Sequence, residues 1–339
     1  MKKLLYKIKA VFKGNWKALF KSIDIVHKKS GKSKFIIFFD MLWCLIKYGA
    51  GHNDYKAFAF WDLNSKQRDT YLTRFRNKKI IEMLNDGDKS EYFNNKAIFN
   101  DKFKDYIKRD ALDIKKVSLK EFESFIQKHP VVFCKPYDGD SGKGIEKLDI
   151  KDFKNAVYMY NYIKEKNIMV VEEAIKQHKD MAKVNPNAVN CLRLVTVVNG
   201  DNVDVLYAVV KFGTTNDYVD NMGRGGSVSG PVDLECGKIM YDLKDMYGKV
   251  FSEHPATKVK FKGYKIPKFK EAVKLVKEAA MVIPEVRQVG WDVCISENGP
   301  MIVEGNNWTD YMFWQLPEHN SKKEGLMPYY RKILPNMKF

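Results

Sequence analysis

Residues 289–306 read Val-Gly-Trp-Asp-Val-Cys-Ile-Ser-Glu-Asn-Gly-Pro-Met-Ile-Val-Glu-Gly-Asn. Two apolar runs flank Glu297-Asn298-Gly299-Pro300, a pattern that predicts a β-hairpin. Centred on Asn298, the hairpin pairs Asp292 with Glu304. Asn306 then falls on the same face as Glu304, because side chains alternate along a strand. Two facing carboxylates repel each other, so the pair calls for a positive charge between them. Oxygen donors from Asp292, Glu304 and Asn306 suit a hard cation such as Mg²⁺. The plain alternative is a solvated hairpin face with unrelated acids. Gly290, Trp291, Val293 and Val303 speak against it, since they are residues of a buried strand pair.

Upstream of this hairpin the chain alternates strands and helices. Pro267 to Met281 reads as a helix, and Leu192 to Val198 with Val203 to Phe212 as a second hairpin around Asn199-Gly200. A glycine-rich loop follows from Gly213 to Gly230. Ser118-Leu-Lys-Glu121 is a capping box for a helix ending near His129. Val131 to Lys135, Ile145 to Leu148 and Ile168 to Glu172 read as strands, with a helix over Lys151 to Lys164. Nearer the N-terminus, one helix is predicted from Asn64 or Ser65 to about Leu84. A second runs from Lys96 to Ile107 with Ile98, Phe99, Phe103 and Tyr106 buried, and Asn85-Asp86-Gly87-Asp88 forms a loop between the two. The fold class is α+β, preceded by a helical N-terminal region.

Three further groups of residues carry chemistry. Phe133-Cys-Lys135-Pro-Tyr-Asp138-Gly139-Asp-Ser141-Gly142-Lys143-Gly144-Ile145 is a strand, a glycine loop and a strand. Its glycines let backbone N–H groups approach phosphate oxygens, and its lysines add charge. The same stretch also fits an ordinary turn, and it is not a Walker loop, since Gly144 follows Lys143 where that motif needs Ser or Thr. Met169-Val-Val-Glu172-Glu173-Ala-Ile175 is an apolar strand ending in acids. It is either a simple strand terminus or, beside a nucleotide, a backbone that reads an adenine edge. Finally, Asn190-Cys-Leu-Arg193 opens a strand, accompanied by Lys211 and the loop Asn221-Met-Gly-Arg224-Gly-Gly-Ser227. Arg193 either faces phosphates, where a rigid bidentate donor stabilises developing charge, or closes an internal salt bridge.

Composition bounds the remaining possibilities. The chain has 339 residues, 45% of them hydrophobic, enough for a real core and two or three domains. Five cysteines without a CxxC pair and six histidines without HExxH spacing exclude a disulfide scaffold and a structural zinc module, and suit the reducing cytoplasm. The most apolar stretch, Phe35 to Ile46, contains Asp40 and falls short of the ~20 residues that cross a bilayer. Of the net charge of +17, residues 1–34 contribute +10 through eleven lysines against Asp24. Leu5, Ile8, Phe12, Trp16, Leu19, Ile23 and Val26 share one side of a helix there, opposite Lys9, Lys13, Lys17 and Lys21. Such a helix can lie on an anionic membrane, grip nucleic acid, or pack on the body with its lysines solvated. No RRM, HTH or KH signature supports nucleic acid as a partner.

The order of these parts resembles the ATP-grasp superfamily: Lys96 at a helix, Lys135 on a strand, the glycine flap, VVEEAI, an Arg-bearing strand, and Asp292 with Glu304-x-Asn306. The segments YFNNKAIFNDKF, FCKPYDGDSGKGI, VVEEAIKQH, NPNAVNCLRL, VDNMGRGG and VGWDV…GPMIVEGN are similar to its sugar-transfer-associated branch over roughly residues 55–325. The resemblance implies an ATP-grasp fold, in which two α+β subdomains sandwich ATP. The divisions expected are 1–50 (basic and hydrophobic helices), 51–110 (helical), 111–170 (lid with flap), 171–325 (core with the metal hairpin) and 326–339 (tail).

By the same resemblance, Lys96 and Lys135 would hold the α- and β-phosphates of ATP, and the flap from Asp138 through Gly139, Ser141, Gly142, Lys143 and Gly144 would close over the γ-phosphate. Glu172, Glu173 and Ile175 would line the adenine and ribose site, with Glu173, Gln177 and His178 all within reach of the ribose. Asp292, Glu304 and Asn306 would bind Mg²⁺, with Mn²⁺ as a substitute. Arg193 would steady the transferred phosphoryl group, Lys211, Asn221 and Arg224 are grouped with it as the catalytic set, and the loop 213–231, with Asn221 and Arg224, would recognise the acceptor. The implied activity is carboxylate–amine ligation through an acyl phosphate, on a cell-surface polysaccharide or its sugar precursor, in the cytoplasm or at the inner face of the membrane. A sugar or lipid-linked kinase and a non-catalytic membrane scaffold are the competing readings.

Overall fold

The computed structural model describes residues 15–138, 144–218 and 226–335. By internal contacts the chain forms two units: Met1–Met83 with Asp310–Phe339, and Leu84–Thr309.

The first unit is helical. Helix Trp16–Ser30 is capped by Asn15 and stopped by Gly31 in the left-handed region, and helix Lys34–Tyr48 is stopped the same way by Gly49. Leu19, Ile23 and Val26 turn inward onto Ile37, Met41, Cys44, Tyr48, Tyr55, Phe58 and Phe60. Of the three readings of the apolar stripe, Leu19, Ile23 and Val26 follow the one in which the helix packs on the body, while Trp16 of the same stripe stays exposed. Leu5, Ile8, Phe12, Lys9 and Lys13 lie outside the described residues. Asp40, which interrupts the apolar stretch, points inward. Arg68 grips it with two bonds of 2.7 Å, and the Tyr55 hydroxyl donates to it at 2.6 Å. No described helix is long and apolar enough to cross a membrane.

The helix expected over 65–84 is two helices, Ser65–Thr70 and Arg74–Leu84. The break at Tyr71–Thr73 exists because these residues serve the core. Tyr71 is buried, both backbone groups of Leu72 bond the Gln315 side chain, and the Thr73 hydroxyl donates to the Tyr48 carbonyl.

In the second unit, strands are numbered in chain order. A four-stranded antiparallel sheet contains β1 (Ala111–Asp113), β2 (Val131–Lys135), β3 (Glu146–Asp149) and β4 (Val170–Glu173), in the order β1-β4-β2-β3. The Ser118–Glu121 capping box opens helix Leu119–Lys128 as predicted. That helix and Ala156–Glu165 bury Phe122, Ile126, Met159 and Ile163 against Val132, Cys134 and Val171. The second of these helices starts only at Ala156, where the Asn155 side chain caps two free N–H groups.

The larger sheet contains β5 (Cys191–Asn199), β6 (Asn202–Gly213), β7 (Ser227–Val232), β8 (Leu243–Lys244), β9 (Val250–Phe251), β10 (Gln288–Ser296) and β11 (Gly299–Asn306). Their order is β11-β10-β5-β6-β7-β8-β9. Helix Phe269–Ala280 covers one face, packing Ala272, Leu275, Val276 and Ala279 with Leu192, Leu194, Trp291, Val293 and Ile302. Because the strand period is two, this burial turns Arg193 and Asp292 to the other face, and Glu304, two residues after Ile302, joins them there only because a bulge intervenes on β11.

The segment expected as a loop at 85–88 instead starts a helix, Gly87–Asn94, with Asp86 as its cap. The 96–107 helix divides at Phe103 into Lys96–Lys102 and Lys104–Ile107. Phe103 stacks on Phe99 at 4.5 Å and meets the Trp291 ring edge at 5.4 Å, and this packing sets the bend. Ile98, predicted on the buried stripe, is exposed.

Candidate active site

The C-terminal hairpin pairs Asp292 with Glu304, but by a different route from the simple count. The turn has two residues, Glu297-Asn298, between Ser296 and Gly299, and Gly299 sits at a φ of 118° that favours glycine. That register alone would not bring 292 opposite 304. A β-bulge between the pairs Val293↔Ile302 and Asp292↔Glu304 leaves Val303 as an extra residue and restores the pairing. Val303 is accordingly half-buried rather than a core residue.

Across the sheet, Glu304, Asp292 and Arg193 stand in one row on β11, β10 and β5. Arg193 holds Asp292 with two bonds, Nε to Oδ1 and Nη2 to Oδ2, the second 2.9 Å long. Gly290 makes room for this: a Cβ there would lie 3.1 Å from Arg193 Cδ and 3.1 Å from Thr309 Cγ2. Asn306 Nδ2 donates to Glu304 Oε1 at 3.3 Å and to the Gly290 carbonyl at 3.4 Å, and its Oδ1 is the amide oxygen that can accept a hydrogen bond or coordinate a cation.

The two carboxylates titrate in opposite directions. Burial alone would raise Asp292, but the Arg193 guanidinium, assisted by Lys211, holds it below the usual carboxylate range. Burial and the neighbouring Asp292 charge push Glu304 up. Arg193 and Lys135 also act on Glu304, so β2 of the smaller sheet delivers a cation to the same place. A mutually repelling pair of carboxylates, Asp292 buried and Glu304 half-buried, beside an amide oxygen fits a divalent cation by donor chemistry.

Behind the hairpin lies a buried ion cluster. Glu172 is almost fully buried, and its oxygens accept from Arg109 (3.1 and 3.0 Å), Lys135 (2.6 Å) and Asn100 (2.9 Å). Burial alone would raise its pKa, but Arg109 and Lys135 hold it well below the ordinary range. Arg109 also donates to the carbonyls of Ile302 (2.6 Å) and Val303 (3.1 Å), the two carbonyls of the bulge. One guanidinium thus joins β4 to the irregularity that puts Glu304 opposite Asp292.

This depressed pKa has a stability consequence with a definite sign. A carboxyl whose folded pKa lies below its unfolded value stabilises the fold above the unfolded pKa and loses that contribution as pH falls through the folded one. The thermal stability advantage of the native chain over Glu172→Gln is therefore expected in full at neutral pH. It should shrink once pH falls below the ordinary glutamate value of 4.5, as melting curves of both proteins across pH would show.

Residues 75–333 match the family described as sugar-transfer-associated ATP-grasp. The chain belongs to that family. By family it is an ATP-grasp protein, and its mixed helix-and-sheet architecture behind N-terminal helices is the ATP-grasp fold. No curated protein matches the sequence. Solved structures similar to this chain include the ATP-grasp ligase PsnB complexed with a minimal precursor, at 13% identity over 82% of this chain and 76% of that one, TM-score 0.45. Another is D-alanyl-alanine synthetase A from Vibrio cholerae, at 12% identity over 73% and 66%, TM-score 0.41. Phosphoribosylamine–glycine ligase from Thermotoga maritima matches at 16% identity over 65% and 48%, TM-score 0.40.

In this ATP-grasp chain Lys135, Arg193, Lys211, Asp292, Glu304 and Asn306 converge. Lys96 opens its helix, with its backbone N–H on the Tyr137 carbonyl at 2.9 Å. Asp138 and Gly144 are exposed at the two ends of the flap, and Gly144 has a positive φ. Gly139, Ser141, Gly142, Lys143, Asn221 and Arg224 lie outside the described residues. Ile175 is half-buried.

The acids and amides expected near the nucleotide are engaged elsewhere. The Glu172 oxygens are taken by the cluster above. Glu173 faces His129 (3.4 Å) and the Asp110 backbone N–H (3.2 Å). Gln177 spends its amide on Asn185, Ala188 and Asn190, clamping the loop before β5, and His178 caps helix Lys179–Val184. Arg109 and Asn100 were missed because an isolated Arg and an isolated Asn in a polar stretch leave no periodic signal. Only the folded chain brings them to Glu172.

Proposed function

We propose that this protein is an ATP- and Mg²⁺-dependent carboxylate–amine ligase that modifies a cell-surface polysaccharide or its sugar precursor, for example by amidating a uronic acid with an amino acid or another amine. The observation that carries the reading is the Asp292–Glu304 pair, with Asn306 beside it and Arg193, Lys135 and Lys211 around it. Asp292, Glu304 and Asn306 would hold Mg²⁺, which would neutralise phosphate charge. Lys96 and Lys135 bind the polyphosphate, and Arg193 orients the transferred phosphoryl group. The acceptor carboxylate takes that group as an acyl phosphate, and the amine then displaces phosphate.

In such a transfer positioning and charge neutralisation supply most of the rate, so the chain needs no nucleophilic side chain of its own. The lid is taken as residues 111–170 and the core as 171–325. The reaction is placed in the cytoplasm, where ATP is available, on a soluble or lipid-linked acceptor. The test is a screen of uronic acids and amines for phosphate release that depends on both, with mass spectrometry of the product. A product mass equal to carboxylate plus amine less water supports ligation. An acid-stable phosphorylated hydroxyl compound would overturn it in favour of a kinase.

A further inference from the structure

Helix Lys34–Tyr48 has two apolar sides. Ile37, Met41, Cys44 and Tyr48 recur at helical spacing and form part of the helical core. The opposite side should be polar on an ordinary surface helix. It instead carries Phe35, Ile36, Phe39, Trp43 and Ile46, with 71%, 58%, 52%, 53% and 39% of their surfaces exposed. At about 100° per residue these five fall within a narrow arc, so they form one stripe. The acid in the helix, Asp40, is withdrawn from it and held by Arg68 and Tyr55. On helix Trp16–Ser30, Trp16 and Phe20 are also exposed. Contiguous exposed apolar surface of this kind marks a place where something docks.

We propose that this stripe is a membrane-docking face, on which the protein lies in the interface of an anionic lipid bilayer with the helix parallel to the surface. Three observations select lipid as the occupant. First, the helix is flanked by cations: Lys28, Lys29 and Lys32 precede it, Lys34 opens it and Lys47 closes it, the last with its ammonium 5.5 Å from the Trp43 ring centre. Residues 1–34 hold eleven lysines and one acid, and that acid, Asp24, is paired with Lys34 at 2.6 Å. Second, the same charge excludes a second copy of this chain, which would set one lysine cluster against another, whereas acidic headgroups complement it. Third, 15 residues of helix span about 22 Å, short of the ~30 Å hydrocarbon thickness, and aromatic side chains are the ones that partition to the interface. The proposal differs from a lysine-faced helix over residues 1–34, because Ile23 and Val26 of that helix are already buried in the core. It does not rest on the ligase reading.

The test is co-sedimentation of the full-length protein with vesicles of phosphatidylcholine alone and of mixed phosphatidylserine and phosphatidylcholine. Binding is expected to the mixed vesicles only. Phe39→Glu and Trp43→Glu should each cut the bound fraction at least tenfold without changing the circular dichroism or the melting temperature, because both side chains are outside the core. Tyr247→Glu, an exposed aromatic in the other unit, should bind like the parent. Failure of the parent protein to sediment with mixed vesicles overturns the proposal, as does unchanged binding by both stripe variants. A dimer in lipid-free solution that Trp43→Glu dissociates would assign the face to a second copy. Shielding of Trp43 from acrylamide without lipid, relieved by deleting residues 1–14, would assign it to the chain's own N-terminus. Either result also overturns the proposal.

Discussion

Glu304→Gln is expected to lower Mg²⁺- and ATP-dependent turnover by roughly 10³-fold while leaving the fold intact, the scale of losing one preorganised charge-stabilising group. Burial and the neighbouring Asp292 already push Glu304 toward its neutral form, and glutamine reproduces that form's shape and can still accept from Asn306 Nδ2 at Oε1. The melting temperature should therefore be unchanged or slightly raised, since one of two repelling neighbouring acids is gone. What glutamine cannot supply is the second negative charge that makes the pair attractive to a divalent cation. Turnover, the Mg²⁺ concentration giving half-maximal rate and the melting curve should be measured on the same preparation. Normal turnover at ordinary Mg²⁺ would sink the metal assignment.

Arg109→Met is expected to be the most destabilising single change in this unit, costing about 3–5 kcal/mol. Methionine matches the volume but removes four hydrogen bonds at once. Two of them hold Glu172, which stays buried with only Lys135 and Asn100, and two hold the carbonyls of Ile302 and Val303. A drop of about 10 °C in melting temperature corresponds to a loss of this size in a domain of this class. The bulge loses the donors that hold it, so the Asp292–Glu304 register loosens and activity should fall beyond what partial unfolding explains. Arg109→Lys keeps the charge but not the planar fork, and should rescue only part of either loss. Equal stability of Arg109→Met and the native chain in denaturant melts would refute the role given to this cluster.

The hairpin shows how far a sequence can be read and where the reading stops. Alternation of apolar and polar residues on both sides of a turn signal identified the two strands, and the buried identity of Trp291 and Val293 oriented them. The partner of Asp292 came out as Glu304 because the assumed one-residue centre and the real two-residue turn plus bulge give the same pairing at that end. A bulge has no local signature here. It is held by Arg109, nearly two hundred residues earlier in the chain. Lys135 and Arg193 were legible as cations in the right elements. Whether Arg193 meets phosphate or Asp292 is a matter of side-chain distance, and in this structure it is bonded to Asp292.

Helix breaks were less legible for a related reason. The runs over 65–84 and 96–107 satisfy a helical period throughout. They bend where Tyr71 and Phe103 are more stabilised by core packing than the backbone is by one more helical turn.

By itself the sequence determined what depends on neighbours along the chain: the α+β class, the capping box at Ser118, the two hairpins, the acids and cations of the site, and the concentration of charge in residues 1–34. The tertiary structure alone decided what depends on residues far apart in sequence. It sends Glu172 into a buried cluster with Arg109, commits Gln177 and His178 to local scaffolding, and spends Ile23 and Val26 on the core while leaving Phe39 and Trp43 outside. The physical reason is the same in each case. Periodicity says which side of a helix or strand is apolar, but a helix with two apolar sides can bury only one of them, and a charged side chain can satisfy only the partners that the fold brings within reach.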